Sequence, residues 1–576
     1  MHVVRVRKGE KGKVYESVLL RQSYRDGSRV RNRTLASLTA LPAAVVDAIE
    51  RILRGQTLVP ISEALHILRS RPHGHVAAVL GTARKLGLEA ALDDKPSRQR
   101  DLVTAMVVQR VLKPASKLAT SRLLDTTSLG ETLGVADATE DELYAALDWL
   151  LERQEQIEKR LAARYLQPGA VALYDLTSVY VEGEHCDLAR LGYSRDQKRG
   201  KAQVEFGLLT NGEGAPVAIE AFAGDTPDQN TFQAQERKVR ERFGMGEVVW
   251  VADRGMLTGT QVAKLQKAAG AHWITALRAP AIQQLVEAGS IQLSFFDERD
   301  LAEVTDYRYP GERLVVCHNP LLGERRARKR EDMLCATERD LAKIQARAEQ
   351  GARGGRGGIR GEAAIGELLG RVVNKYAMAK HFTWTITENA FAWARNERSI
   401  AEEAALDGLY VLRTNVPAER LDSASVVLAY KSLAHVEQAF RHFKLCDLEV
   451  RPIFHYREAR VRAHLLLCML AYWVQREMQR ALAPLLFVDE APPERPDPVA
   501  PAPRSRAATS KDRSQRTAEG FPVHSFRTLL DTLATVVKNW TRPSGAGPEA
   551  AFPMYTEATR QQQSAFDLLG VQPGCL

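Results

Sequence analysis

The chain has 576 residues, 45% hydrophobic and 26% charged, with 80 Lys and Arg against 71 acids and a formal net charge of +9. That balance excludes wholesale disorder and collagen-like repeats, and the length predicts several domains at roughly 100–200 residues each. The positive surplus is mild and permits a polyanionic partner without demanding one. Cys186, Cys317, Cys335, Cys446, Cys468 and Cys575 are scattered without a C-x-x-C pair. Neither a disulfide framework nor a cysteine-zinc site is therefore expected, and a reducing compartment fits. No run reaches the roughly 18–20 apolar residues of a membrane helix. The longest apolar stretch, 463–474 between Arg462 and Arg476, reads as a buried helix. The opening MHVVRVRKGEKGK lacks the apolar centre of a secretory signal, so a cytoplasmic protein with no membrane partner is expected.

Residues 1–60 form a basic, β-rich segment. Ten Lys and Arg lie within 1–34, valines alternate with charges, and Asp26-Gly27 marks a hairpin turn. Solvated edge strands and nucleic-acid contact are both open readings of that charge. Residues 61–165 read as helical: DLVTAMVVQRVL is periodic, and Thr139 with Glu142 fits a capping box opening ELYAALDWLLERQEQIEKRLAARYL. Such helices either bind DNA or merely pack. From 166 to 265 the pattern changes. AVALYDL, QVEFGLL, APVAIEAFA and EVVWVAD read as strands, with a helical NTFQAQERKVRERF between the third and fourth. A meander followed by a crossover predicts a mixed sheet flanked by helices.

Residues 266–425 mix helical and strand signals, the latter in FTWTITEN and DGLYVLRTN, around a flexible Gly/Arg stretch at 351–361. They are read as an insertion into one core. Long helices return over 426–484. The Pro/Ala/Arg-rich 485–520 reads as a disordered linker, and 521–576 as a helical tail containing SFRTLLDTLATVVKNW.

Three carboxylates stand out by position. Asp175 lies within the apolar strand ALYDLTS, where a charge is costly unless a cation, hydrogen bond or metal meets it. A turn-capping Asp is the plainer explanation. Asp253 ends VVWVAD before a sharp turn at Arg254-Gly255, and carboxylates at neighbouring strand ends converge in a crevice. An Asp paired with Arg254 is the alternative. Glu437 lies in YKSLAHVEQAFRHFKLCDLE, where Leu433, Val436, Phe440 and Phe443 recur at helical spacing. Tyr430, Glu437 and Lys444 are seven residues apart and so fall on one stripe. The modest alternative is an exposed Glu437–Arg441 pair worth about 0.3–0.5 kcal/mol. Taken together, three hard oxygen ligands without a His or Cys set favour Mg²⁺ or Mn²⁺ over zinc. Two such ions can serve phosphoryl transfer. Lys444 is placed to hold a phosphate, and Tyr430 to stack on a base or bond a backbone oxygen.

These residues resemble the DDE insertion-sequence transposases of the IS-four superfamily, whose third acid sits in a Tyr-x2-Arg-x3-Glu-x6-Lys signature. Here that signature is Tyr430, Leu433, Glu437 and Lys444, with Leu433 departing from the arginine as in a long-chained branch. The first and second aspartates match in YDLTSVYVEG and WVADRGML, and GYSRDQKRGKAQVEFGLLTNGEGAP and AFAGDTPD are similar too. The resemblance covers most of 110–480. It implies a multidomain protein with a ribonuclease-H-like α/β catalytic core, a mixed sheet flanked by helices, interrupted by a mixed α/β insertion and preceded by a helical DNA-binding region. On this basis Asp175, Asp253 and Glu437 are the catalytic and metal residues. Two Mg²⁺ ions are the cofactors, and Mn²⁺ can substitute.

By the same resemblance, Tyr430, Lys444, Arg441 and Arg254 are the expected DNA contacts. The partners it implies are double-stranded DNA (terminal inverted repeats and target) and a second copy in a homodimer on DNA. It also implies that water cuts at the element end and that the freed 3′-hydroxyl attacks target DNA. Two other classes stay open: a catalytically inactive transposase-derived DNA-binding protein, and a metal-dependent nuclease without strand transfer. A glycosidase leaves Lys444, Tyr430 and the basic N-terminus unexplained.

Overall fold

The computed structural model describes residues 1–576 apart from 11–12, 57–62, 184, 199, 269, 293–295, 298–299, 389, 494–496, 501 and 576. The chain divides into two compact units, Met1–Pro72 with Val536–Glu557 and His73–Thr535 with Ala558–Leu576. In the first, alternating valines and charges form an antiparallel sheet of β1 (His2–Glu10), β2 (Lys13–Asp26) and β3 (Arg29–Ser37). The expected Asp26-Gly27 turn joins β2 to β3, with Gly27 at φ 61°. The turn between β1 and β2 lies outside the described residues. β3 is exposed throughout, which leaves Arg29, Arg31 and Arg33 in solvent.

A second sheet joins β4 (Leu65–Pro72) to two late strands, β15 (Val537–Pro543) and β16 (Phe552–Tyr555), in the order β16-β15-β4. Two expectations change here. The region read as helical from 61 carries β4 ahead of its helices, and the tail read as helical is helical over Phe526–Ala534 and Arg560–Leu569 but carries β15 and β16 between them. The β-branched Val536-Val537 prefers extended backbone, and the partner is remote: Ser70 Oγ donates to Asn539 Oδ1 at 2.7 Å, 469 residues away. No local pattern reveals such a pairing.

The second unit holds an eight-stranded sheet. Its first members are β5 (Val171–Tyr180), β6 (Gln203–Asn211), β7 (Pro216–Ala223), β8 (Val248–Val251) and β9 (Ala271–Ala276). The meander read from the sequence is present: β5, β6 and β7 pair antiparallel, after which β8 lies parallel to β5 and β9 parallel to β8. Helices fill the expected places. Glu140–Glu152 opens with the Thr139–Glu142 capping box, and Glu458–Ala481 is buried over most of its length. Among the described residues no helix is long and apolar enough to cross a membrane.

The segment 266–425 differs from a simple insertion. After β9, strands β10 (Leu301–Val304) and β11 (Arg313–His318), and later β14 (Leu409–Thr414), extend the same sheet in the order β10-β11-β14-β9-β8-β5-β6-β7. The part between β11 and β14 has its own core, and 277–316 packs another against β14. In the former, the helices Pro320–Ala352 and Glu362–Tyr376 pack Leu334, Leu341, Ile365 and Leu369 against a hairpin of β12 (Phe382–Thr387) and β13 (Ala390–Arg395). An open strand edge offers unpaired N–H and C=O groups, which the added strands cover. The Gly/Arg stretch at 351–361 is folded back, with Ile359 N–H donating to Arg347 O at 2.9 Å.

Part of the stretch read as a disordered linker is structured. Arg506–Ser514 is helical, capped by Ser505, and the buried Lys511 ammonium donates to Ala483 O and Leu486 O at 3.0 Å each. Lys431 likewise donates to Val499 O at 2.7 Å. Composition predicts disorder where too little apolar surface can be buried; here lysine–carbonyl bonds help hold the segment instead.

Period-two alternation makes β5 serve two faces. Ala172, Tyr174 and Leu176 enter the core with Phe232 and Trp250. Leu173, Asp175 and Thr177 turn to the opposite face. The Tyr174 ring lies so close over β6 that a Cβ on Gly207 would meet its hydroxyl oxygen at 2.0 Å, which explains a glycine in mid-strand. Phe232 stands between Tyr174 (ring centroids 6.3 Å) and Trp250 (5.1 Å) and is 1% exposed. Phe232→Ala is expected to cost about 3–5 kcal/mol, read as a lower denaturant midpoint by tryptophan fluorescence.

Candidate active site

Asp175 sits mid-strand because the residues around it belong in a sheet. Leu173 pairs with Val251 across the parallel β5–β8 ladder, so two residues further along both chains stand Asp175 and Asp253. Adjacent strands lie about 4.8 Å apart, which sets the two carboxylates side by side at the end of β8. Asp253 stays there because its Oδ1 accepts from Gly255 N–H and Met256 N–H, each at 2.9 Å, closing the turn after the strand. Asp175 Oδ1 accepts from Leu176 N–H at 2.8 Å.

Glu437 arrives from elsewhere in the chain on helix Leu433–Arg441. Val436, Ala439 and Phe440 form its buried face. Phe206 of β6 receives Phe440 edge-on at 5.6 Å and Phe443 at 5.8 Å. That packing fixes the helix on the Asp175 face of the sheet. Glu437 itself is exposed (61% of its side chain) and 3.9 Å from Arg441, the weak surface pair allowed for in the sequence.

The electrostatics tie these groups together. Burial pushes Asp175 up to about 7; Leu176 N–H opposes that, Asp253 adds to it, Arg195 opposes and Glu437 adds. Burial also pushes Tyr430 up to about 12, with Asp253, Asp175 and Glu437 adding and Arg254 opposing. Asp175, Asp253, Glu437, Tyr430 and Arg254 thus share one electrostatic environment. Arg254 and Arg441 are exposed at its rim.

Lys444 is placed differently from its sequence expectation. The single long helix breaks at Ser432 between Ser423–Lys431 and Leu433–Arg441, and His442–Cys446 continues as a π-turn. The wider turn rotates Lys444 off the stripe of Glu437. Its side chain is 9% exposed, and Nζ bonds Asp196 Oδ1 at 3.0 Å.

Several charged neighbours were not singled out in the sequence. Arg195 donates to both oxygens of Asp228 at 2.8 and 2.9 Å and to Glu205 Oε1 at 3.0 Å. Asp228 Oδ2 in turn lies 3.7 Å from where a Gly255 Cβ would stand, beside the Asp253 turn. Burial pushes Glu205 up to about 7 while Arg195 pulls it down. Glu205 was findable: it is a carboxylate inside the apolar strand QVEFGLL, the same signal that marks Asp175. Arg195, Asp196 and Asp228 lie in or beside loops, where no periodicity assigns a direction.

Residues 167–474 match the family described as transposase DDE domain, and residues 3–59 match the IS1634 family transposase N-terminal domain. No curated protein sequence matches the chain. A cryo-EM structure of the piggyBac transposase synaptic complex with hairpin DNA is similar at 9% identity and TM-score 0.34, covering 80% of this chain and 76% of that one. A Mos1 transposase paired-end complex with the left transposon end is similar at 11% identity and TM-score 0.14, covering 42% and 76%.

A raised Asp175 has a sign that stability measurements can read. The unfolded carboxyl loses its proton near 4 and the folded one near 7, so folding stability declines as pH rises between them and stays reduced above. With divalent ions chelated, Asp175→Asn is expected to be more stable than the parent above pH 7 by about 4 kcal/mol, the gap closing toward pH 4. Parallel thermal melts across pH check this; a gap that is constant with pH contradicts it.

Proposed function

Because the chain belongs to the DDE transposase family of DNA-cutting and DNA-joining enzymes, we propose that Asp175, Asp253 and Glu437 are its catalytic carboxylates and that it acts on the terminal inverted repeats of an insertion sequence. The observation that carries this reading is that Asp175 feels both Asp253 and Glu437, although the three come from separate parts of the chain. A ribonuclease-H-like core is part of the proposal. Its support is the order β7-β6-β5-β8-β9, three antiparallel strands followed by two parallel ones, with Asp175 on the first and Asp253 after the fourth.

The donor set suits a hard divalent cation. Three mutually repelling carboxylates with a half-buried member lacking a full counter-charge are what Mg²⁺ neutralises, with Mn²⁺ able to substitute. As placed, no three Asp, Glu, His or Cys side chains among the described residues could hold one ion together. Glu437 is exposed and held only by the loose Arg441 pair, so it is the member free to turn inward. Two such ions, when bound, would activate the attacking oxygen and neutralise the leaving one.

The protein's own task is to position DNA. Arg254 and Arg441 at the rim meet backbone phosphates, and Tyr430 meets a base or backbone oxygen. Lys444 reaches a phosphate by sharing its ammonium with Asp196. Water attacks the phosphorus at the element end and the 3′ oxygen leaves as a hydroxyl. That hydroxyl then displaces the 3′ oxygen of a target phosphodiester. The two element ends call for two copies of the chain, one on each.

Asp175→Asn, Asp253→Asn and Glu437→Gln are each expected to lower Mg²⁺-dependent cleavage of element-end DNA more than about 10³-fold while end binding on a gel stays within twofold. Cleavage by any of the three at the parental rate would falsify the assignment. Joining of a pre-cleaved end to a supercoiled target separates a transposase from a nuclease. Binding without nicking by the parent marks an inactive DNA-binding relative.

A further inference from the structure

Beside the carboxylates, a cleft of about 320 Å³ is lined by Thr177, Arg195, Asp196, Arg441, Lys444 and Arg451 among others. We propose that this cleft is the seat of one DNA backbone phosphate next to the scissile one, held by Lys444 and Arg451, with Asp196 keeping the two cations in place. The proposal rests on the transposase reading and adds to it Arg451 and the position of the phosphate.

Charge is the first argument. Lys444 Nζ and Arg451 Nη1 meet the same oxygen, Asp196 Oδ1, at 3.0 and 2.7 Å. The Lys444, Arg451 and Asp196 side chains are 9%, 18% and 4% exposed. Two cations against one carboxylate leave a surplus positive charge in a poorly solvated place, which an anion would balance. Arg195 cannot be counted in that surplus, because Asp228 and Glu205 already meet it.

Donor capacity is the second. An ammonium carries three N–H and a guanidinium five. Lys444 gives one to Asp196, while Arg451 gives Nη1 to Asp196 and Nε to Lys444 O at 3.4 Å. Both keep donors for phosphate oxygens, and among the described residues Asp196 Oδ2 takes no hydrogen bond. The carboxylate therefore works through one oxygen, as a hinge pin for two cations.

Position is the third. Thr177 follows Asp175 by two residues on the same face of β5, about 6.6 Å along the strand. Arg441 is one helical turn beyond Glu437. The cleft thus begins one short step from the carboxylates along both elements, of the order of the step between neighbouring phosphates in one DNA strand.

The test replaces single phosphates of element-end DNA by neutral methylphosphonates, one position at a time, and measures binding with chelator present. At one position adjacent to the scissile phosphate, the full-length protein is expected to lose about tenfold in affinity. Arg451→Gln should lose about tenfold on unmodified DNA, lose nothing further at that position, and show a salt slope smaller by about one. Arg451→Lys should keep the slope, and Lys444→Gln should single out the same position, which guards against a variant that folds poorly. If the parent cuts and joins element ends but every position adds independently to Arg451→Gln, the seat is wrong and the transposase reading stands. If the parent neither binds nor cuts these ends, both fall.

Discussion

A carboxylate in the middle of a central strand is the constraint on which the carboxylate face of the sheet depends. Two unit charges about 4–5 Å apart repel by roughly 3–4 kcal/mol at an effective dielectric near 20, and desolvation adds to that. Against this, Asp175 has one backbone N–H from Leu176 and the field of Arg195, a guanidinium already engaged by Asp228 and Glu205. The offset is incomplete, and Asp175 holds its proton up to about pH 7. A strand with a purely structural purpose would place leucine there, as it does at Leu173. The cost is borne in a sheet whose other face is fully packed by Tyr174, Phe232 and Trp250.

That packing also explains how distant segments meet. β5 can carry an acid because its alternate residues hold it to the core, and Gly207 gives Tyr174 room to lie across β6. On the acid's side Phe206 holds Phe440 and Phe443, so the Glu437 helix is seated by three aromatic rings while Glu437 itself stays outside the contact. The division of labour is sharp. Apolar rings fix the backbone of each contributing element, and the carboxylates keep their freedom to approach a shared charge. A face built from salt bridges alone would not do this, since exposed pairs such as Glu437–Arg441 at 3.9 Å hold little.

What could be read in the sequence follows the same division. Asp175 and Glu437 were legible as candidates because each sits on a periodic element, which gives direction as well as type, and Asp253 because it follows the short apolar run of β8 by two residues. The β5–β7 meander and the Thr139–Glu142 cap were legible for the same reason. The direction of Lys444 was not legible, because seven-residue spacing assumes an unbroken helix and the π-turn at His442–Cys446 ends that register. Arg195, Asp228 and Asp196 were invisible because loop geometry comes from hydrogen bonds such as Arg195 N–H to Ser178 Oγ at 3.1 Å, which no local pattern encodes. The pairing of β4 with β15, the strands that 266–425 lends to the main sheet, and the helix within 485–520 all depend on remote partners.

The Lys444–Asp196–Arg451 group shows how a buried ion pair can order its cations even where it adds little to stability. Charged groups taken from water lose several kcal/mol each, and a pair often no more than breaks even against apolar residues of equal size. A free lysine at that site would either lose its proton to burial or sample many rotamers. Burial does press the Lys444 pKa down, and Asp196 presses it back up. The carboxylate therefore keeps the ammonium charged and removes most of its conformational choice before any ligand arrives. Ordering a long side chain costs about 0.5–1.5 kcal/mol at the moment of binding, and a cation already ordered avoids that cost. The acid subtracts one charge from the face and returns it as position.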